Sequence, residues 1–268
     1  MNSVETKSVG ILLREWRERR RLSQLDLAYD AEISQRHLSF LELGRSKPSR
    51  EMILRLAEQL NIPLRERNVL LASAGFAAIF PERPLDRESL PAARRAVDLI
   101  LEGLEPNPSF AVDRHWNLVA ANKAAGRILL SDVDPTLIEP PTNMLRLCLH
   151  PEGFAHQTMN YSEWRNGILA YLKRQVEASA DLFLMELLQE MKNYPKPRSA
   201  RDAPPTTEIT SSGISIPLRL MKKEGELSFI STVTVFGTPI DVTLSELAIE
   251  SFFPADRGTV EILRHPHK

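Results

Sequence analysis

Gln35, Arg36 and His37 stand side by side in SQLDLAYDAEISQRHLSFLELGRSK, residues 23–47, immediately after Ser34. Ser34 is a good helix N-cap, so the three polar side chains fall on the exposed first turn of a helix over about 35–43. A short helix with that start pushes its side-chain tips into the major groove of DNA while the helix before it braces against the backbone. The chemistry is hydrogen bonding and charge contact. It requires neither a metal nor a nucleophile.

Positioning these tips takes a second helix held at a fixed angle. Ser23 caps one over about 24–31, Ala28 supplies the small residue at the crossing, and Ile33, Leu38 and Leu41 turn inward to lock the reading helix. Gly44 ends that helix in the usual C-terminal manner. The tight turn departs from the common pattern, because Glu32 stands where glycine usually supplies a positive φ, at a cost on the order of 1 kcal/mol. Around the pair, residues 8–21 place Val9, Leu13 and Trp16 on one helical stripe. Pro48 and Ser49 open a helix through Leu60, and a fifth runs from Leu64 to Ala74, stopped by Gly75. Residues 1–76 therefore predict an all-α, five-helix helix-turn-helix domain. Residues 1–75 hold 13 Lys+Arg against 10 Asp+Glu, and the rest of the chain 21 against 25, so a mildly basic head precedes a mildly acidic body.

The head resembles the XRE family of repressor-type DNA-binding domains from about Val9 to Gly75. The likeness rests on Ser23-Gln24, Leu27-Ala28, Ser34 to Leu41, Glu42 and Gly44 through Pro48. It implies that Gln35 and Arg36 face base edges, where Gln suits adenine and Arg suits guanine. His37 and Ser39 are further candidates for base or phosphate contact. Gln24, at the start of the bracing helix, would hold a phosphate, and Arg45 and Lys47 would clamp phosphates after the reading helix. Phe40 stands where several relatives carry a polar reader, and packing is the expectation for it. Arg17 and Glu42 match a pair that forms an internal ion pair in the family, which assigns them to fold integrity. Arg19, Arg20 and Arg21 read as a solvated face.

Residues 77–90, with Pro81 and Pro84 and no clear periodicity, read as a linker. Residues 91–268 then form a second domain. A helix over 91–104 precedes short strands in SFAVD and NLVAAN, set about a turn at Arg114–Trp116, and a helix begun by Asn122. A long helical region follows over 161–193, then a basic, proline-rich loop, KPRSARDAPP. Strands are expected in ISIPLRLMKK, ELSFISTVTVF and DVTLSELAIESFF, and a short helix after Asp256. Two strands, a helical insert and three strands predict an α+β domain on one mixed or antiparallel sheet.

The stretch NPSFAVDRHWNLVAANKAAGRIL is built like the opening of a PAS domain. With LEPNPSFAVDRHWNLVAAN and GTPIDVTLSELAIESFFPAD, it makes the body resemble the ligand-binding domain of MmyB-like regulators. The resemblance implies a PAS-like sensor, and at least some members hold a fatty-acid-like molecule. Independently, a sheet faced by a helical insert can enclose an apolar cavity. Phe110, Trp116, Trp164, Phe229 and Phe236 are the large apolar candidates for its wall. Asn122 and His150 are polar candidates: the first is also a helix cap, the second also a turn residue able to orient a carboxylate head group.

Other classes find little support. Cys148 is the single cysteine, so neither an internal disulfide nor a cysteine-built zinc site is possible. His115, His150 and His156 lack metal-ligand spacing, His265 and His267 lie at the terminus, and no nucleophile elbow, phosphate loop or dinucleotide fingerprint occurs. No enzymatic activity and no resident cofactor are expected. The opening residues lack a secretion-signal pattern and no apolar run suffices to span a bilayer, which predicts a cytoplasmic protein without a membrane partner. The expectation is a ligand-responsive transcriptional regulator, most simply a repressor. Its partners would be double-stranded operator DNA with an inverted repeat, a small apolar ligand and a second copy of the chain. The alternative is a helix-turn-helix interaction module, antitoxin-like or with a body that only dimerises, holding no small molecule.

Overall fold

The computed structural model describes residues 7–86, 88–197, 202 and 216–264. Most of the basic proline-rich loop, along with His265 and His267, lies outside the described residues. The chain divides into two compact units: residues up to Arg83 with Glu177–Ser179 and Thr238–Ser245, and the remainder.

The first unit holds five helices, α1 (Val9–Arg19), α2 (Gln24–Asp30), α3 (Gln35–Glu42), α4 (Arg50–Gln59) and α5 (Leu64–Ser73). Serine caps start three of them. The Ser23 hydroxyl accepts from Asp26 N, and the Asp26 carboxylate accepts in turn from Ser23 N, closing a capping box. Ser34 accepts from His37 N at 3.1 Å and Ser49 from Met52 N at 3.2 Å. The turn between α2 and α3 does carry a left-handed residue, Glu32, at φ 54°. Leu13, Leu27, Leu38, Leu41, Ile53 and Leu56 are fully buried and form the core. Gly10 fixes how closely α1 approaches α3, since a Cβ there would lie 2.2 Å from the Leu41 carbonyl oxygen. The stretch read as a linker is partly tied down: Asn68 Oδ1 accepts from Ile79 N and Phe80 N, and its Nδ2 donates to Phe80 O at 2.8 Å.

The second unit is built on a five-stranded antiparallel sheet in the order β2-β1-β5-β4-β3. Its strands are β1 (Ser109–Val112), β2 (Leu118–Ala121), β3 (Leu218–Lys222), β4 (Gly225–Val235) and β5 (Ala248–Pro254). The last of these in sequence lies at the centre, pairing with β1 on one side and β4 on the other. Alternation separates two faces. Ala111 and Ile249 meet Val97 and Leu101 of α6 (Pro91–Gly103). Phe110, Val112, Leu227, Phe229 and Phe252 join the larger core with α8 (Met144–Leu149), α9 (Tyr161–Ser179) and α10 (Leu182–Lys192). Between β2 and α8 lies α7 (Lys123–Ile128), capped by Asn122.

Two stretches differ from the expectation. The helical region over 161–193 is two helices, because Ala180 turns left-handed at φ 59° and Asp181 restarts the chain, accepting from Phe183 N and Leu184 N. A good N-cap outcompetes helix continuation there. Likewise DVTLSELAIESFF is a strand only from Ala248. Asp241 accepts from Thr243 N at 2.9 Å and starts a helical turn over Val242–Ser245. No helix among the described residues is long and apolar enough to cross a membrane.

Candidate DNA-reading helix and ligand cavity

Helix α3 buries Leu38, Leu41 and Glu42 and leaves Gln35, Arg36 and His37 exposed on its first turn. Ser39 and Phe40 are half-buried. The Arg36 guanidinium lies 5.3 Å over the Phe40 ring, so the phenyl group supports the arginine stem at the helix surface. Gly44, at φ 69°, turns the chain after α3, and Arg45 N and Ser46 N both donate to Phe40 O. Arg45 and Lys47 are exposed on this pinned segment.

Behind the reading face lies a buried ionic network. Arg17 donates through Nε to Glu42 Oε1 at 2.7 Å and through Nη2 to Oε2 at 2.9 Å, and its Nη1 donates to Leu22 O at 2.9 Å. Gln24 Nε2 donates to the same Glu42 Oε2 at 2.8 Å. The Gln24 carboxamide is thus committed inside the fold, and a phosphate contact by this side chain competes with that bond. Three helices are tied together through one carboxylate.

In the second unit a cavity of about 460 Å³ opens between the sheet and the helices α8 and α9. Its apolar walls come from Trp116, Leu145, Trp164, Ile168, Tyr171 and Val233, with Ile216 at the rim. Trp116 takes its place because Asp113 organises the β1–β2 turn. The Asp113 carboxylate accepts from His115 N, Asn117 N and Asn117 Nδ2, and Trp116 sits left-handed at φ 67°. The Trp116 indole then donates to Gln175 Oε1 of α9 at 2.7 Å.

The aromatic and polar candidates separate on inspection. Trp116 and Trp164 line the cavity. Phe110 and Phe229 lie on the same side of the sheet but are covered, each packing against Phe252. Phe236 packs on the opposite cluster with Val97 and Leu101. Asn122 is consumed by structure, accepting from Ser109 N and Ala125 N and donating to Asn107 O. His150 caps the end of α8, accepts from Glu152 N through Nδ1 and meets Tyr194 edge-on. None of these five lines the cavity. A fixed strand register and satisfied hydrogen bonds hold them elsewhere.

Sequence reasoning missed the polar members of the lining: Glu250, Ser231, Arg174 and Cys148. Glu250 lies on the central strand, in register with Phe110 of β1 and Val233 of β4, and Ser231 lines the cavity with it. Burial pushes its carboxyl up to about 7, with the Ser231 hydroxyl opposing the shift. Burial also pushes the Cys148 thiol well above its usual range, and the neighbouring Glu250 adds to this. The available signal was the alternation of Ala248, Glu250 and Phe252, which puts an acid on an otherwise apolar face.

Residues 93–265 match the MmyB-like transcription regulator ligand binding domain, and residues 13–67 match the helix-turn-helix family. No curated protein matches the chain. Both family descriptions are regulatory rather than enzymatic, and each match covers the unit whose geometry fits it. With a capped reading helix in one unit and a walled cavity in the other, the chain belongs to the MmyB-like transcription regulators, a DNA-binding XRE-type helix-turn-helix followed by a ligand-binding domain.

Proposed function

We propose that this regulator is a repressor that binds an inverted repeat as a homodimer and responds to a small apolar ligand, such as a fatty acid, held in the second unit. The observation that carries the reading is the cavity of about 460 Å³, a size suited to a medium-length acyl chain, with walls that are mostly aromatic and aliphatic. Arg174, exposed at its mouth and stacked over Tyr171 at 5.7 Å, supplies a positive charge for an acidic head group. Gln35 and Arg36 read bases, His37 and Ser39 assist, and Arg45 and Lys47 hold phosphates. A single reading helix gives too small a footprint for tight specific binding, which is the reason for two copies with half-sites roughly 10 base pairs or a multiple apart.

Native mass spectrometry of the purified protein tests the ligand. A co-purifying lipid-sized mass, released on denaturation, is expected. A body that stays empty with every fatty acid offered, while binding a protein partner, would favour the interaction-module alternative. Sedimentation on operator DNA tests the dimer, and a single copy per operator at saturation would remove it.

A further inference from the structure

Among the described residues, one carboxyl group lines the cavity without an evident duty in the fold. Glu250 is half-buried on the central strand and lines the cavity. Its cross-strand neighbours Phe110 and Val233 offer it nothing. Ser231 is the polar side chain that acts on it, and among the described residues it forms no ion pair. Tyr171 and Arg174 of α9, Cys148 of α8 and Ser231 of β4 are the polar groups lining the cavity with it. A carboxyl group costs several kcal/mol to bury without compensation, and an ordinary apolar residue would fill this position better. Arg174 is the exposed charged member of the lining.

We propose that Glu250 and Ser231 form an inner subsite for a hydroxyl group, so that the ligand is a hydroxylated acyl chain with its acid end at Arg174. The proposal rests on the cavity being the ligand site and adds which ligands it selects. A plain acyl chain would leave the Glu250 carboxyl facing methylenes, which forfeits its hydrogen bonds. A second carboxylate would be repelled by ionised Glu250, and an amine would be opposed on entry by Arg174. A hydroxyl both donates and accepts, so it satisfies the carboxylate and the neutral acid alike. That matters because the carboxyl changes state near neutrality.

The test uses the full chain freed of co-purified lipid, with binding followed by tryptophan fluorescence and calorimetry. The probes are dodecanoic acid, its mid-chain and terminal hydroxy derivatives, and dodecylamine. At least one hydroxy acid is expected to bind about tenfold or more tighter than dodecanoic acid, the range of a hydrogen bond to a charged group. Glu250→Leu should abolish that preference while keeping affinity for dodecanoic acid. Glu250→Gln, which keeps the shape and an acceptor, should retain part of it and serves if the Leu variant fails to fold. Equal affinities for all acids, a preference that survives in Glu250→Leu, or tightest binding of the amine overturns the hydroxyl subsite. If no acid binds the intact protein, the cavity reading itself falls, which is a different result.

Discussion

Replacing Glu42 by alanine should be among the most damaging single changes in the head, although Glu42 is buried behind the exposed face of α3. Its carboxylate is almost fully covered and accepts three hydrogen bonds, two from Arg17 and one from Gln24. Removal leaves an arginine that is only 8% exposed with one hydrogen bond, to Leu22 O, and a looser ion pair to Glu18 at 3.9 Å. Breaking a buried ion pair from one side typically costs about 3–5 kcal/mol, because the remaining charge is left uncompensated. A small domain has about 5–15 kcal/mol in all, so this change brings the head close to unfolding at moderate temperature. Replacing the pair together, Arg17→Met with Glu42→Leu, should recover most of the loss, since neither charge then needs a partner. Amide hydrogen exchange resolved to α1–α3, beside urea unfolding by circular dichroism, measures both variants within the two-unit chain. If Glu42→Ala stays within about 1 kcal/mol of the parent, or if the double variant loses the sum of the singles, the pair is not the tie described above.

Arg36→Ala should cost about 1–3 kcal/mol of operator affinity and relax preference at one base pair, measured by binding to a library of operator variants. Lys47→Ala should weaken binding evenly across sequences and reduce the slope against log salt by about one. Loss in the same sequence-independent way for both would refute the division into readers and clamps. Glu250 predicts a pH effect. Its carboxyl is raised to about 7 in the folded chain but titrates near about 4.3 when unfolded. Its contribution to stability is therefore full below about pH 4 and is lost progressively as pH rises through about 7, by on the order of 3 kcal/mol. Glu250→Gln should remove that loss, so unfolding midpoints of variant and parent should diverge between pH 5 and pH 8; parallel curves would contradict it. Asn122→Ala should destabilise the second unit by about 2 kcal/mol or more, through a lost cap and an unsatisfied Ser109 N–H. Thermal melts decide this, and a neutral result would mean water replaces the side chain.

The head was legible because its determinants are local. Ser23, Ser34 and Ser49 each announce a helix within three residues, and the left-handed turn at Glu32 follows from the spacing of the helices around it. In the body the five strands of one sheet around a helical insert were legible, as were the local hydrogen bonds at Asn122 and the Asp113 turn. Asp181 marks the limit. An acid within a long periodic stretch reads as one more exposed residue, and only the left-handed Ala180 before it reveals a cap. The cavity lining was harder still, since it is assembled from α8, α9, β4 and β5, and which aromatic rings reach it depends on strand register. Phe110 and Phe229 have the composition of wall residues, but Phe252 between them takes their surface. Gly10 was not legible because its importance lies in the Leu41 carbonyl of a helix two elements along the chain, not in its own neighbours.

The central position of β5 bears on how the protein is made. The helices of the head contact near sequence neighbours and can fold as soon as they leave the ribosome. The sheet cannot be completed until residues 248–254 arrive to bridge β1 and β4, so the nascent body spends most of its synthesis with open strand edges. Glu250 arrives on the same strand, so the wall of the cavity is complete only once the last strand has been threaded into place.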